Sequence, residues 1–227
     1  MTGRFKPRMD VLPPDQKRLW PELIHIPNLG FTLYGGTAIA LRLGHRHSVD
    51  FDFFLEKPLD RNAIKVAFPF MAHSTTLQDQ DDTWVVLIPP GDSEHEHVKV
   101  SFFGMIAFGR VGEPDFTDDG VLRVASLDDL MATKVKVVLQ RAEAKDYRDI
   151  AAMIDAGVSL SRGLASARQL YGSNFQPSES LKALVYFNDG DLRMLTADEK
   201  KTLVDAVKVV RDLPDVVLRS KSLSGSV

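Results

Sequence analysis

The alternation of hydrophobic and polar positions predicts a small sheet in the first half of the chain. The apolar segment Phe31–Tyr34 stops at a glycine pair, which is typical of a strand that leads into a turn. Val49–Leu55 alternates with a period of two, so Asp50 and Asp52 share one face of a strand. Further strands are predicted at His73–Gln78, Trp84–Ile88 and Val98–Phe103.

Helical spacing occurs before and between these strands. The spacing of Leu19, Leu23 and Ile26 predicts a helix over about residues 13–26, which we expect to pack as a lid. Pro21 would kink or divide this helix. Shorter helices are predicted over Thr37–Leu43, closed by Gly44, and over Asp60–Phe70.

The second half of the chain has a helical pattern. Ser126 with Asp129 resembles a capping box, and Thr196 with Glu199 forms a better one. Helices are predicted over about residues 126–141, 144–156 and 196–213. We place a boundary after residue 115, inside a segment rich in glycine and acidic residues. The sequence therefore predicts an α+β fold, with a sheet-containing core over 1–115 and a mainly helical lobe, packed on it, over 116–227.

The composition excludes several classes of protein. Among 227 residues, 44% are hydrophobic and 26% are charged, which excludes disordered and low-complexity architectures. The formal net charge of −3 excludes a dedicated nucleic-acid coat, and the absence of cysteine excludes disulfides, thiolate zinc sites and cysteine nucleophiles. Because no apolar run approaches the roughly 20 residues of a membrane span and the start lacks a signal core, we expect a cytoplasmic protein with no membrane partner.

One segment combines features that suit a phosphorylated substrate. Gly35 and Gly36 stand between a predicted strand and helix, where backbone N–H groups can approach a phosphate and the helix N-terminus adds about half a positive charge. After a spacer of thirteen residues, 37–49, come Asp50 and Asp52. Their positions lie about 6 to 7 Å apart along a strand, so the carboxylates can converge on Mg²⁺, which is usually shared with substrate phosphates. The segment predicts a phosphate site beside a metal site.

The same segment resembles a known superfamily. A glycine pair, a spacer and an Asp-apolar-Asp-apolar strand form the signature of nucleotidyltransferases typified by DNA polymerase beta. More narrowly, GGTAIALRLGHRHSVDFDFF is similar to the bacterial AbiEii/AbiGii toxin family of nucleotidyltransferase-like proteins. ASLDDLMATKVKVVLQRAEAKDYRDIAAMI is similar to that family's downstream helices, with Lys134 followed by Lys145, Asp146 and Asp149. With VKVSFF, the resemblance covers roughly residues 28–155.

The resemblance implies a fold, an activity and partners. The fold is a small mixed sheet of the nucleotidyltransferase kind with flanking helices. The activity is Mg²⁺-dependent, or Mn²⁺-dependent, transfer of a nucleoside monophosphate from an NTP to a hydroxyl. The implied context is a toxin of a toxin–antitoxin or abortive-infection system, with RNA such as tRNA or a protein as acceptor and an antitoxin as partner. The implied catalytic residues are Asp50, Asp52, Lys134, Lys145 and Asp146, of which the first two are the metal ligands.

The polar residues around the glycine pair have two interpretations each. Arg42 and Arg46 could bind a triphosphate through bidentate contacts or neutralise the two aspartates, and we favour Arg46 for the phosphate. His45 could orient a phosphate or cap the helix, whereas Ser48 more often supports a turn. The candidate nucleotide-binding residues are Gly35, Gly36, Thr37, Arg42, His45, Arg46 and Ser48.

Two features leave the function open. Superfamily enzymes usually present a third carboxylate from a later strand, but alternation puts Lys99 and Ser101 on the corresponding face here. Asp146, Asp149 or an acid of the 79–96 hairpin could complete the site, or a single metal could suffice; alternatively, the chain is a nucleotide- or RNA-binding module without turnover. A second basic stretch could bind phosphates or carry paired charges on an exposed helix; it consists of Lys134, Lys136, Arg141, Lys145 and Arg148.

Overall fold

The computed structural model describes residues 3–91 and 97–225, which form two compact units. The first unit contains the described parts of 1–109, 113–125 and 221–227, and the second contains 110–112 and 126–220. Residues 113–125, which lie mostly beyond our sequence boundary, belong to the first unit because their two strands join its sheet. Apart from residues 110–112, the second unit begins at Ser126.

The first unit is built on a mixed sheet, as the sequence predicts. Among the described residues the sheet has eight strands: β1 (Arg4–Phe5), β2 (Thr32–Tyr34), β3 (Asp50–Phe54), β4 (Thr75–Gln80), β5 (Thr83–Ile88), β6 (Val98–Phe103), β7 (Asp115–Thr117) and β8 (Arg123–Val124). Their order is β1-β7-β8-β2-β3-β6-β5-β4. Strand β3 lies between β2, which is antiparallel to it, and β6, which is parallel. The aspartate-bearing strand is therefore central.

Alternation along β3 divides the sheet into a core face and a second face. Phe51 and Phe53 are fully buried and stack on each other, and the ring centroid of Phe53 lies 5.8 Å from that of Phe102 of β6. Asp50 and Asp52 lie on the opposite face and are only partly buried. The predicted sharing of one face by the two aspartates is confirmed.

Three α-helices flank this sheet in the described part of the first unit: α1 (Pro14–Leu19), α2 (Gly35–Leu43) and α3 (Arg61–Ala67). The helix predicted over 13–26 is divided, since α1 ends at Leu19 and a 3₁₀ helix continues over Trp20–His25. Pro21 explains the change, because proline has no backbone N–H to donate within an α-helix. Helix α2 ends at Gly44, which has the expected left-handed conformation (φ 71°).

The second unit is helical. Its described α-helices are α4 (Leu127–Val137), α5 (Ala144–Asp155), α6 (Leu160–Tyr171), α7 (Pro177–Ala183) and α8 (Ala197–Val209). Ser126 accepts the N–H of Asp129 at the start of α4, and the predicted capping box of Thr196 and Glu199 is complete. Nowhere in the residues described is there a helix with the length and apolar character needed to span a membrane.

Candidate active site

The glycine bend joins β2 to α2 and requires glycine for two reasons. Gly35 has φ +74°, which other L-residues adopt only at a cost. A Cβ at this position would lie 2.5 Å from Oδ2 of Asp52, closer than real contacts allow. The N-cap residue, Tyr34, makes no side-chain cap bond, and the first turn of α2 contains no acidic residue. The bend therefore brings the start of a helix directly against one carboxylate of the pair.

Asp50 is held by a lysine of the neighbouring strand. In the parallel pairing of β3 with β6, Asp50 is the register partner of Lys99, and Asp52 is that of Ser101. Nζ of Lys99 donates to Oδ2 of Asp50 at 2.9 Å. Ser101 is 2% exposed and lies beside Asp52. The two positions available for a third carboxylate on β6 therefore hold an ammonium group and a hydroxyl.

Thr37 and Ser48 connect the first turn of α2 to the start of β3. Their hydroxyls lie 2.7 Å apart, and Oγ1 of Thr37 also donates to the backbone carbonyl of Asp50. Both residues are buried, with 2% exposure for Thr37 and 5% for Ser48. These bonds commit both hydroxyls to positioning Asp50 relative to the glycine bend.

Arg42 has its guanidinium inside the first unit. It donates to the carbonyls of Val124 and Ala125, pairs with Asp115 at 3.0 Å and lies over the ring of Phe5. Burial lowers the pKa of Arg42, although Asp115 opposes this shift. Of the two interpretations left open for Arg42, the structure supports neither: the carboxylate that it neutralises is Asp115, and its other donors bind carbonyls at the end of β8.

His45 and Arg46 follow the C-terminal end of α2 and are half-buried. Nη1 of Arg46 donates to the carbonyl of His47 at 2.9 Å, in an exposed setting. The ring of His47 in turn lies 3.2 Å from the carbonyl of Val11. The hydrogen bond of Arg46 is therefore solvent-exposed, whereas those of Arg42 are partly buried.

The predicted residues of the second unit form a buried charge cluster. Lys134 of α4 lies 2.6 Å from Asp146 and 2.7 Å from Asp149, both on α5, and Arg141 reaches Asp146 at 2.8 Å. The two aspartates are completely buried. Burial raises the pKa of Asp146, but the charges and hydrogen bonds of Lys134 and Arg141 outweigh it, so the net shift is downward. This cluster ties α4 to α5.

The other basic residues of this stretch also have partners. Lys145 pairs with Glu143 at 2.9 Å, and Arg148 pairs with Glu199 at 2.7 Å. Lys136 donates to the carbonyl of Asn174. The structure thus favours the interpretation of paired charges over that of an open basic patch.

A divalent ion would find two carboxylates on the aspartate face. Within residues 3–91 and 97–225, no group of three or more His, Asp or Glu side chains is arranged to hold a metal ion. Of the hairpin acids considered from the sequence, Asp79 pairs with Arg61, while Asp92, Glu94 and Glu96 lie outside the described residues. Two carboxylates nevertheless fit Mg²⁺, which is commonly held by one or two of them together with substrate phosphates.

Sequence reasoning identified the glycine bend and the aspartates but assigned no role to Lys99. The signal was present, because alternation put Lys99 on the aspartate face. Its pairing with Asp50 depends on the register between β3 and β6, which the local pattern does not specify.

The fold is that of a nucleotidyltransferase. A crystal structure of an H. pylori protein assigned as a nucleotidyltransferase matches with a TM-score of 0.54 at 18% sequence identity, covering 85% of this chain and 92% of that chain. At this identity the match establishes the fold.

Sequence relatives establish the family. An uncharacterized protein of Aquifex aeolicus (strain VF5) is 32% identical over 162 residues, which are 70% of this chain and 74% of that protein. The family model of the nucleotidyl transferase AbiEii toxins, of type IV toxin–antitoxin systems, matches residues 25–217. The chain belongs to this family of nucleotidyltransferases, which confirms the resemblance stated from the sequence. Membership implies an NTP substrate and a cognate antitoxin.

Proposed function

We propose that the protein transfers a nucleoside monophosphate from an NTP to a hydroxyl acceptor, with a divalent ion held by Asp50 and Asp52. The observation that supports this best is the close approach of Asp52 to Gly35. Carboxylates that can hold a cation thereby adjoin a helix N-terminus, which favours phosphate. A metal–triphosphate complex needs both features at one place.

In the proposed reaction, the acceptor hydroxyl oxygen forms a bond to the α-phosphorus of the NTP. The bond between that phosphorus and the oxygen bridging to the β-phosphate breaks, and pyrophosphate leaves. The hydroxyl proton passes to water. Catalysis of this kind depends on positioning and on neutralising charge.

Each residue of the first unit has a part in this scheme. Gly35 and Gly36 let the backbone N–H groups of α2 approach the phosphates. Thr37 and Ser48 fix the start of β3, so that Asp50 keeps its place. Arg46, whose hydrogen bond to the carbonyl of His47 is solvent-exposed, neutralises the leaving pyrophosphate through charge-assisted hydrogen bonds.

Mg²⁺ suits the donor set, and Mn²⁺ shares its preference for oxygen ligands. When bound, such an ion neutralises negative charge on the phosphates. Asp50 and Asp52 would be its protein ligands.

For the second unit we propose distinct parts for the predicted residues. Lys145 pairs with Glu143, but both side chains are 40% or more exposed. Because such a surface pair contributes little energy, Lys145 can exchange Glu143 for a phosphate, and we assign it to a phosphate of the RNA acceptor. Lys134 and Asp146 are buried, and we assign them to holding α4 against α5.

The acceptor in this proposal is RNA, with tRNA as the first candidate and a protein as the second. The partner is an antitoxin, as the type IV toxin–antitoxin family supports. Both NTP and tRNA place the reaction in the cytoplasm.

The test is incubation of the protein with each α-labelled NTP, Mg²⁺ or Mn²⁺, and total RNA or a protein extract. We expect label on one acceptor class, and loss of that label with Asp50→Ala and with Asp52→Ala. Label that persists at the wild-type rate in both variants would contradict the proposal. Circular dichroism of the variants controls for folding.

A second candidate function, a binding module without turnover, is favoured by one observation: the third carboxylate is absent from the two β6 positions that face the aspartates. Wild-type protein that binds NTP in an Asp52-dependent manner but labels neither RNA nor protein would indicate this function instead.

A further inference from the structure

Lys99 forms a partly exposed ion pair with Asp50, a proposed metal ligand. Its Nζ lies 2.9 Å from Oδ2 of Asp50, and the two side chains are 38% and 30% exposed. Parallel pairing of β3 with β6 sets the two residues opposite each other. Because the lysine stem is long and flexible, the ammonium can leave the carboxylate without any movement of the strands.

This pair alters the charge that an arriving ion meets. Asp50 and Asp52 supply two negative charges, and the ammonium of Lys99 cancels one of them. A divalent ion must displace the ammonium from Asp50 and is also repelled by it. Ser101, beside Asp52, is neutral and restores no charge. The aspartate pair is therefore a weak site for a metal ion alone.

A triphosphate reverses this balance. It brings several negative charges and strong hydrogen-bond acceptors, to which an ammonium can transfer. Once Lys99 contacts a phosphate, both oxygens of Asp50 become available to the cation. The same lysine that opposes metal binding in the nucleotide-free protein then supports binding of the metal–nucleotide complex.

We infer that Lys99 couples metal binding to nucleotide binding by withholding Asp50 from a divalent ion until a triphosphate draws its ammonium away. This inference rests on the proposed function of the aspartate pair. It assigns Lys99 as a positioning residue for Asp50 in the nucleotide-free protein and as a phosphate contact in the loaded one. The divalent ion accordingly enters together with the NTP.

The experiment measures Mn²⁺ binding by electron paramagnetic resonance, with and without a non-hydrolysable α,β-methylene NTP analogue. Removing the ammonium with Lys99→Met should tighten binding of Mn²⁺ alone by about tenfold, and weaken binding of the analogue with Mn²⁺ by about tenfold. Lys99→Arg should keep the wild-type values within about threefold, since it retains the charge. Lys57→Met, at an exposed lysine of the same unit, is the matched control and should change neither.

The opposite signs of the two effects distinguish coupling from damage. General disruption of the site would weaken both kinds of binding, whereas the inference requires one to strengthen. Lys99→Gln serves as a second neutral variant if Lys99→Met does not fold.

The outcomes separate the two proposals. If wild-type protein binds Mn²⁺ in an Asp50-dependent manner but Lys99→Met does not tighten it, the coupling is overturned and the proposed function stands. If Asp50→Asn and Asp52→Asn leave Mn²⁺ binding unchanged with the analogue present, the proposed metal site fails, and the coupling fails with it.

Discussion

Gly35 and Asp52 approach each other so closely that a side chain at position 35 would collide with the carboxylate: a Cβ would lie 2.5 Å from Oδ2. The glycine bend is therefore more than a connection between β2 and α2. It creates the space in which Asp52 stands at the start of a helix.

Substitution of Gly35 tests this relationship, and Gly120 provides a matched control. Both have φ +74°, but a Cβ at Gly120 would meet nothing within 4 Å. We expect Gly120→Ala to cost about 1 to 2 kcal/mol of unfolding free energy from backbone strain and to leave transfer intact. Gly35→Ala should cost at least as much and abolish transfer. Equal activities of the two folded variants, measured beside urea unfolding curves, would refute the spatial argument.

The hydroxyl of Thr37 should act through Asp50. Thr37→Val keeps the shape but removes the bonds to Ser48 and to the carbonyl of Asp50. We expect a loss of about 1 to 3 kcal/mol in stability, since buried partners are left unpaired, together with a fall in transfer rate. Thr37→Ser should restore both. A Thr37→Val variant as stable and active as wild type would show that these bonds do not position the site.

The two arginines near the site should separate stability from nucleotide binding. Arg42→Met removes the guanidinium that pairs with Asp115 and binds two carbonyls. We therefore expect a loss of about 3 kcal/mol of unfolding free energy, with NTP affinity near wild type. Arg46→Met should change stability by less than about 1 kcal/mol and reduce NTP affinity. Calorimetry of unfolding and of NTP binding checks both variants. The reverse assignment of effects would mean that Arg42 is the phosphate contact.

The buried cluster of the second unit should make stability depend on acid pH. The pKa of Asp146 is lowered from the ordinary 3.8 in the folded state. Its contribution is therefore present above pH 3.8 and is lost as the pH falls through the folded pKa.

Lys134→Met should invert this dependence. It leaves Asp146 and Asp149 buried without Lys134, and we expect a loss of about 3 to 5 kcal/mol at pH 7. Because protonation then relieves buried charge, this deficit should shrink as the pH is lowered toward 4. Urea unfolding of both proteins between pH 3 and pH 8 gives the comparison, and a deficit independent of pH would contradict this account of the cluster.

Local patterns predicted the elements that carry their own signals. Alternation predicted β3, Gly44 predicted the end of α2, and the capping box of Thr196 and Glu199 predicted the start of α8. Strands β1, β7 and β8 were missed because they are two or three residues long and exist only through pairing. Helix α6 was missed although Ser159 caps it; at Gly163 it packs directly on Met131 of α4, a contact that has no local pattern.

The candidate site likewise contains residues that local patterns predict and contacts that they do not. The glycine pair and the aspartates lie within one short segment, so spacing and alternation sufficed to bring them together. The pairing of Arg42 with Asp115 and that of Lys99 with Asp50 join positions far apart in the chain. Such contacts depend on strand order and register, which a single sequence leaves open.

The most direct test of the central claim compares α- and γ-labelled NTP with wild-type protein and with Asp52→Asn, in the presence of Mg²⁺ and the labelled acceptor class. We predict that wild type transfers the α-label and releases the γ-label as pyrophosphate. The rate of Asp52→Asn should be lower by at least about a hundredfold, since this variant removes the negative charge of a metal-binding carboxylate. Transfer by folded Asp52→Asn at the wild-type rate, or transfer of the γ-label to the acceptor, would contradict the account.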